Sequence, residues 1–515
     1  MPEHPERRWW TLAAVCVATF MLLLDITIVN VALPDIAKSL HASFSDLQWV
    51  IDAYALSLAA LLLTAGGLAD LLGRRRVFTW GLAIFTASSL LCALAGSPLM
   101  LDIARALQGI GGAAMFATSL ALLATAFHGR ERGTALGIWG ATIGAAVAIG
   151  PLVGGVLTES VGWESIFLIN LPIGVGAIAV SVTQVAETRD PDAGSVDWPG
   201  LLTFSVGLFC LVYALVRGNA DGWGSSTIVG CLAGAAVLLP AFLVVEARQR
   251  RPMLDLTLFR KPAFLGASLA AFALSASMFA MFLYLTLYIQ NALGYSPLQA
   301  GLRFLPVTLV SFVVAPISGK LSARLPIRGL LAAGLGLTGL GLLLMGGLHA
   351  GSGWTALLGG FLLAGAGVGL ANPTLASTAV GVVAPARAGM ASGIGNTFRQ
   401  VGIATGIAAL GAIFQHEVGQ KVARAFAGAP AAVRARVAHV PADVLATGSP
   451  KPFRAIPGGV HAYLTGFTGA LNTLFVIAGV TAIAGSALAA LLVRSRDFVV
   501  PPGAEAAAEA APVPA

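Results

Sequence analysis

Residues 11–33 read TLAAVCVATFMLLLDITIVNVAL, an apolar run that holds a single charged residue, Asp25. The hydrocarbon core of a bilayer is about 30 Å thick, so roughly 20 apolar residues cross it as a helix. This stretch is long enough to do so. It follows Arg7-Arg8, as a secretion signal would, but it is too long for a signal's apolar region and no small-residue cleavage site closes it. It reads as a retained first membrane span with an acid inside it.

The rest of the chain follows suit. Of its 515 residues, 57% are hydrophobic and 10% charged, with a mean hydropathy of +0.86. Soluble chains carry about 25% charged residues, so water cannot be the main solvent here. The fold class is an all-α integral membrane protein. Segmentation at charges and Pro/Gly clusters predicts fourteen spans, near 11–33, 49–69, 77–95, 99–126, 134–157, 166–186, 199–216, 226–246, 263–290, 298–318, 329–348, 354–381, 390–415 and 466–492. Cys16, Cys92, Cys210 and Cys231 all fall inside these runs at irregular spacing and suit neither disulfides nor a metal.

The net charge of +7 does not indicate nucleic acid, because the basic residues form short runs between spans rather than one face. They report topology instead. With the N-terminus inside, inner segments hold 19 Arg and Lys, whereas the short outer loops hold two, Lys38 and Arg217. Both termini are then cytoplasmic, and the expected location is a bacterial cytoplasmic membrane. The loop 416–465 carries six basic residues on the outer side and is long enough to escape the rule; its 417–439 stretch suits a surface or interfacial helix. The tail after Asp497, rich in Ala, Pro and Glu, reads as disordered.

A weak repeat is present. A glycine followed by basic residues closes both the second span (Gly66 to Arg76) and the tenth (Gly319 to Arg328). Two six-helix bundles, 1–190 and 256–496, would thus flank an inserted helix pair at 191–255, with a cytoplasmic tail at 497–515. Repeats of this kind place a transport site between halves.

Ionisable groups inside spans are costly and usually functional. Asp25, Asp52 and Arg105 lie in the first, second and fourth spans, in the outer half of the membrane. Together they suggest a proton site, since burial raises a carboxyl's pKa and a nearby guanidinium lowers it; a structural ion pair is the plainer reading. No Asp or Glu occurs between Asp255 and Glu417, so proton chemistry is expected in the first half. Arg399, between Asn396 and Gln400, faces either substrate or neighbouring carbonyls. Asn30 and Gln108 are further cavity candidates. In the fifth span, Gly140 and Gly144 suit general packing, whereas Gly150-Pro151-x-x-Gly154-Gly155 is more specific, joining close helix approach to a proline bend.

These motifs together resemble the major facilitator superfamily, and within it the fourteen-helix drug:proton antiporters. Leu24 to Pro34 resembles that family's first-helix signature, and Gly66 to Arg76 the loop motif that includes Gly66, Asp70, Gly73, Arg74 and Arg75. Arg105 to Gly109 resembles the fourth-helix motif, and Gly150, Pro151, Gly154 and Gly155 the exporter motif of the fifth helix. Trp163 to Gly174 and Asn396 to Gln400 also fit. Leu71 and Glu164 depart from it where basic residues are common.

The resemblance implies a proton-coupled exporter of lipophilic drugs or antibiotics. Asp25 would carry the proton, Arg105 would modulate it, and Asp52 would match an outer acidic position. Asp70 would face the N-terminal end of the thirteenth helix as a gate, with Arg74 as its latch. The proton-motive force would stand in place of a cofactor, and no metal is expected. Expected partners are lipophilic small molecules, protons and membrane lipid, with the protein a monomer. The missing acids in the second half disfavour dicationic cargo and favour monocationic, zwitterionic or neutral lipophiles. A dedicated exporter of an endogenous metabolite or siderophore fits equally. An enzyme acting on lipid-linked substrates would need paired carboxylates or a metal cluster at a membrane face, and neither is apparent.

Overall fold

The computed structural model describes residues 5–127, 130–189, 197–249, 252–322, 324–383 and 388–499. All its regular structure among these residues is helical. Fourteen helices are long and apolar enough to cross a membrane: spans 1 to 7 at Arg7–Leu40, Phe44–Leu72, Arg74–Ala93, Pro98–Ala126, Gly137–Ser160, Ser165–Gln184 and Trp198–Asp221, and spans 8 to 14 at Ser226–Arg248, Pro262–Ala292, Pro297–Leu321, Ile327–Leu344, Trp354–Gly381, Met390–Ala425 and Gly459–Leu492. Each corresponds to a span expected from hydropathy.

Several starts are written in the chain. Ser43 and Ser296 accept from the backbone amides of Asp46 and Gln299, whose side chains accept in return from the serine amides. These capping boxes satisfy amides that the first helical turn leaves unpaired. The ends differ more from expectation. Span 1 does not stop near residue 33 but continues through Pro34 to Leu40, so Lys38 lies in its last turn, paired with Asp35 at 2.8 Å. By the helical rise, Asp25 is then about 22 Å from that end, deeper than the expected span implied.

The helices of the first six spans pair as 1 with 5, 2 with 4, 3 with 4 and 3 with 6. The last six pair in the same pattern: 9 with 13, 10 with 12, 11 with 12 and 11 with 14. The two most extensive contacts between the sets are span 2 with 13 and span 5 with 10, and these too exchange under the same correspondence. Span 7 packs on spans 2 and 13 over one of these seams. There Trp49 stacks near Phe209 and Tyr213, at 5.9 and 6.1 Å between ring centres, and the Asn219 amide donates to the Ala412 carbonyl at 2.7 Å.

Close approach at the other seam comes from span 5. A Cβ on Gly154 would meet the Ile28 carbonyl oxygen at 2.8 Å, and one on Gly155 the Pro297 carbonyl oxygen at 2.7 Å. The glycine cluster therefore presses span 5 against span 1 on one side and span 10 on the other. Gly140, expected in general packing, has nothing within 4 Å of such a Cβ.

The segment between spans 13 and 14 is folded, and the helix expected over 417–439 is divided between the end of span 13 and a separate short helix. Span 13 runs on to Ala425, helices follow at Ala431–Ala438 and Ala442–Ala446, and span 14 begins at Gly459. Phe453 stacks on Tyr463 with 4.7 Å between ring centres, and the Tyr463 hydroxyl donates to the Leu445 carbonyl at 2.8 Å. Asp443 reaches across to span 2, where its carboxylate accepts from the Ser45 amide at 3.2 Å. It thus joins Asp46 at a positive helix N-terminus. Glu159 does the same for span 10, accepting from the Leu298 amide at 3.0 Å and the Ser296 hydroxyl at 2.6 Å.

Two predictions follow from this packing. Gly154→Ala forces a methyl against the Ile28 backbone and is expected to destabilise the protein by about 1–3 kcal/mol, while Gly140→Ala leaves stability unchanged; thermal unfolding in detergent compares them. Burial pushes the Asp443 carboxyl above its ordinary value, the Ser45 and Phe44 amides partly offset this, and Asp46 adds to the rise. The folded chain then holds the Asp443 proton to higher pH than the unfolded chain. Its contribution is fully present below the ordinary carboxylate pKa of about 3.9 and is lost as pH rises through the raised value. Asp443→Asn keeps the acceptor and removes the charge. It is expected to melt higher than wild type at neutral pH, with the difference vanishing on acidification below that window.

Candidate functional site

Asp25 sits in span 1 with 1% of its surface exposed. An isolated carboxylate in such a place would not remain charged. Here span 4 supplies the counter-charge: Arg105, also 1% exposed, donates from Nη1 to the Asp25 carboxylate at 2.5 Å. Three residues on, one helical turn away, Gln108 donates to the other carboxylate oxygen at 2.8 Å, and Asn170 of span 6 donates to the same oxygen at 3.3 Å. Gln108 and Asn170 both also donate to the Ser89 hydroxyl of span 3, at 2.9 and 3.3 Å.

The guanidinium is held equally firmly. Its Nε donates to the Val50 carbonyl of span 2 at 3.0 Å, and Nη1 also donates to the Gln108 oxygen at 2.6 Å. The Tyr54 ring lies 4.3 Å from its carbon and the Phe167 ring 5.8 Å away. Five spans thus meet at one ion pair. The chain turns to make this possible: span 6 is interrupted at Ile169, between Ser165–Leu168 and Asn170–Gln184, which sets Asn170 at a helix start.

Asp52 does not join this network. It is fully buried in span 2, and neither carboxylate oxygen has a hydrogen-bond partner. Its surroundings belong to the seam with span 13. The Tyr284 hydroxyl of span 9 and the Gln48 amide of span 2 both donate to the Ile407 carbonyl, at 2.8 and 2.9 Å, and Tyr284 is within electrostatic range of Asp52.

Between the two sets of spans lies a narrow cavity lined by Ile26, Val29, Ile51, Tyr54, Arg105, Gln400 and Ile403. Of the expected cavity residues, Gln400 lines it. Gln108 is instead spent on the ion pair, and Asn30 and Asn396 donate back to carbonyls of their own helices, Ile26 and Ser392, both at 2.9 Å. Arg399 has one neighbour of note, the Phe279 ring at 5.7 Å.

At the other end, the 66–76 loop is organised by acids on either side. Arg74 pairs with Asp70 at 2.8 Å, and its backbone amide donates to the Thr188 carbonyl at the same distance. Glu187 accepts from the Arg75 amide at 3.1 Å and draws in the Arg75 and Arg76 guanidinium groups at 3.7 and 3.6 Å. Gly73, at φ +114°, turns the chain between spans 2 and 3; a Cβ on Gly66 would touch nothing within 4 Å. Asp70 was expected to face the start of span 13; residues 384–387, which precede that helix, lie outside the described residues, and the partner Asp70 has among those described is Arg74. Asn170, Ser89 and Glu187 were not singled out from sequence. Only Asn170 carried a signal, its place in the 163–174 motif.

A many-helix membrane bundle, repeated in two sets, with a charge pair buried in one set and a cavity between them, defines a membrane transporter. This chain belongs to the Major Facilitator Superfamily, whose profile matches residues 15–407. It is similar to the tetracenomycin C resistance and export protein of Streptomyces glaucescens, at 35% identity over 99% of this chain and 95% of that protein. The multidrug resistance protein Stp of Mycobacterium tuberculosis is 39% identical over 78% of this chain and 75% of its own. In fold it resembles a bacterial homologue of the human lysosomal transporter Spinster in an inward-facing, occupied conformation, with a TM-score of 0.64 and 17% identity, covering 95% and 98% of the two chains.

Removing one partner of a buried ion pair costs about 3–5 kcal/mol. Arg105→Ala strands Asp25 and is expected to lower stability by that order. Asp25→Asn is expected to be much milder, because the amide oxygen still accepts from Arg105. Urea or thermal unfolding of the purified protein tests the ranking; equal losses would mean that charge compensation, and not the retained hydrogen bond, holds the pair.

Proposed function

We propose that this protein is a proton-coupled efflux transporter that exports lipophilic drugs or antibiotics across a bacterial cytoplasmic membrane by alternating access. The observation that carries the reading is the Asp25–Arg105 pair: one carboxylate, sealed from water, whose charge is balanced by one guanidinium on another helix. Protonating Asp25 weakens two charge-assisted bonds at once and loosens span 1 from span 4. Deprotonation restores them. A group of this kind converts a proton's arrival into a change of helix packing, which is what coupling requires.

The seam contacts supply the second half of the cycle. At the end carrying Asp443 and Glu159, the two six-span sets are joined by Gln48 to Ile407, Gln290 to Val31 at 2.6 Å, Ser45 to Asp443 and Leu298 to Glu159. Opening that end breaks these bonds, each worth about 1 kcal/mol net, against a matching closure elsewhere. Positive-inside topology makes this the outer end, so the arrangement is closed outward with both termini cytoplasmic. The sets 1–190 and 256–496 would rock about the cavity, with 191–255 bridging a seam. No cofactor takes part; the chain acts as a monomer and takes protons from outside. A potential contributes about 2.3 kcal/mol per charge per 100 mV and each pH unit about 1.4, so one proton supports a cargo gradient on the order of a hundredfold or more.

A narrower reading is favoured by one similarity: a relative aligned over nearly the whole chain is named for both resistance to and export of a single antibiotic. A dedicated exporter of one endogenous metabolite would use the same machinery. In everted vesicles carrying a pH-gradient dye, wild type is expected to release protons on addition of cargo, and Asp25→Asn to give no signal. Proton release retained in Asp25→Asn would overturn the coupling role. A response confined to one compound of a chemically broad panel would select the dedicated exporter.

A further inference from the structure

Arg105 lines the cavity, and Arg399 stands next in sequence to Gln400, which lines it too; only the first of these two cations has a carboxylate partner. Asp25 is consumed by Arg105. The other half of the bundle offers no acid at all from residue 256 to residue 416, yet it holds Arg399, on the turn of span 13 that also places Gln400 and Ile403 at the cavity. The Phe279 ring lies 5.7 Å from the carbon of the Arg399 guanidinium. Among the described residues the guanidinium makes neither an ion pair nor a hydrogen bond.

This guanidinium is half-buried, and its nitrogens keep some solvent contact, so it is a cation among apolar helices that has given up part of its water without gaining an acceptor from the protein. The chain elsewhere shows how it satisfies such a group: Arg105 has a carboxylate, a backbone carbonyl, an amide oxygen and two rings. The Arg399 site has the ring and lacks the acceptors. Gln400, next in sequence and 9% exposed, has no hydrogen bond among the described residues either. Phe279 lies on a π-helical turn, Ser275–Phe279, a local widening that is frequent at functional sites. In that turn the buried Ser275 hydroxyl is also without a partner. Gly402, one turn from Arg399, brings span 13 against Ser275.

We propose that the cargo is a lipophilic anion, a largely apolar molecule bearing a carboxylate or phenolate, and that Arg399 supplies its counter-charge with Phe279 beneath the guanidinium and Gln400 beside it. The proposal rests on the export reading and names its substrate class. It differs from the monocationic, zwitterionic or neutral cargo inferred from the missing acids: the same absence that removes partners for cations leaves a cation without a partner. A planar guanidinium binds a carboxylate through two parallel hydrogen bonds, which an ammonium cannot reproduce. The apolar wall of Ile26, Val29, Ile51 and Ile403 would take the rest of the molecule. Export of one anion against entry of one proton moves two charges in the same electrical direction, so an inside-negative potential drives both.

Two xanthene dyes of similar ring system and opposite charge test this, fluorescein as the anion and rhodamine 6G as the cation. Binding is followed by fluorescence anisotropy on the full chain purified in a neutral detergent. Wild type is expected to bind fluorescein at least tenfold more tightly than rhodamine 6G. Arg399→Gln is expected to abolish that preference, and Arg399→Lys to keep part of it, with melting temperatures confirming that both variants fold. Should Arg399→Gln not fold, the wild-type preference and its reduction in Arg399→Lys decide alone. Equal or tighter binding of rhodamine 6G, fluorescein binding indifferent to Arg399, or no binding of either dye would each overturn the anion site. Binding requires no proton gradient. Arg399-dependent fluorescein binding without cargo-driven proton release would therefore count against coupling only, and proton-coupled export of cations without anion preference against the anion site only.

Discussion

A charge placed where neither water nor ions can reach it must be matched by the protein itself, and that constraint organises this molecule. The Asp25 carboxylate and Arg105 guanidinium lie on helices 80 residues apart in sequence and meet at 2.5 Å. Each needs more than the other, because a bare pair in a low-dielectric interior does not recover its desolvation. Gln108, Asn170, Ser89 and the Val50 carbonyl fill the remaining donor and acceptor positions. Spans 1, 2, 3, 4 and 6 are thereby fixed to one point. Span 5, the exception, is held by glycines rather than charge. The first six-span set is a shell built around a polar knot, and a change in the knot's protonation has leverage on all of its members.

Packing among lipid-solvated helices gains little from the hydrophobic effect, so backbone proximity does the work. This explains why the glycine-rich crossings fall where rigidity matters. Span 5 meets spans 1 and 10 through Gly154 and Gly155, and Gly301 of span 10 returns the contact against the Pro151 carbonyl. The seam between spans 2 and 13 is made differently, by the Gln48 hydrogen bond to the Ile407 carbonyl, which Tyr284 of span 9 also reaches, and by the aromatic series Phe44, Tyr284, Phe414 and Phe467. One seam is a tight backbone crossing; the other is a set of breakable bonds beside a buried, unpartnered carboxylate. Motion about the first at the expense of the second is the geometrically economical one.

Much of this was legible in sequence for a simple reason: in a lipid-facing chain, anything charged or helix-breaking stands out. Hydropathy located all fourteen spans, and Asp25 and Arg105 were conspicuous as charges in apolar runs. Their pairing was open until the fold brought spans 1 and 4 together. The neutral members of the network, Ser89 and Asn170, were invisible on composition because serine and asparagine also serve as ordinary packing residues. Pro34 misled at the end of span 1, since a proline usually ends a helix, yet the chain carries the helix on to a polar last turn. The 416–465 loop offered a helix over 417–439, part of which forms at Ala431–Ala438, but the packing of the remainder depends on long-range contacts such as Phe453 with Tyr463 that no local pattern signals. Glu187 gained meaning only when the end of span 6 was placed beside Arg75 and Arg76.

The two halves share a pattern of helix pairing but not a pattern of charge, and that asymmetry is the more informative of the two. In the first set the buried cation is saturated and its carboxylate is the group that can change state. In the second, Arg399 makes no ion pair among the described residues. A transporter whose halves both closed their own charges would have no electrostatic reason to respond to cargo. One in which a proton alters the balance in one half, and cargo completes it in the other, has a reason built into each half. Coupling then needs no direct contact between proton and cargo. It needs the seam between spans 2 and 13, where the element bearing Asp52 and packed on the Arg105 helix lies against the element bearing Arg399, to transmit the state of either half to the other.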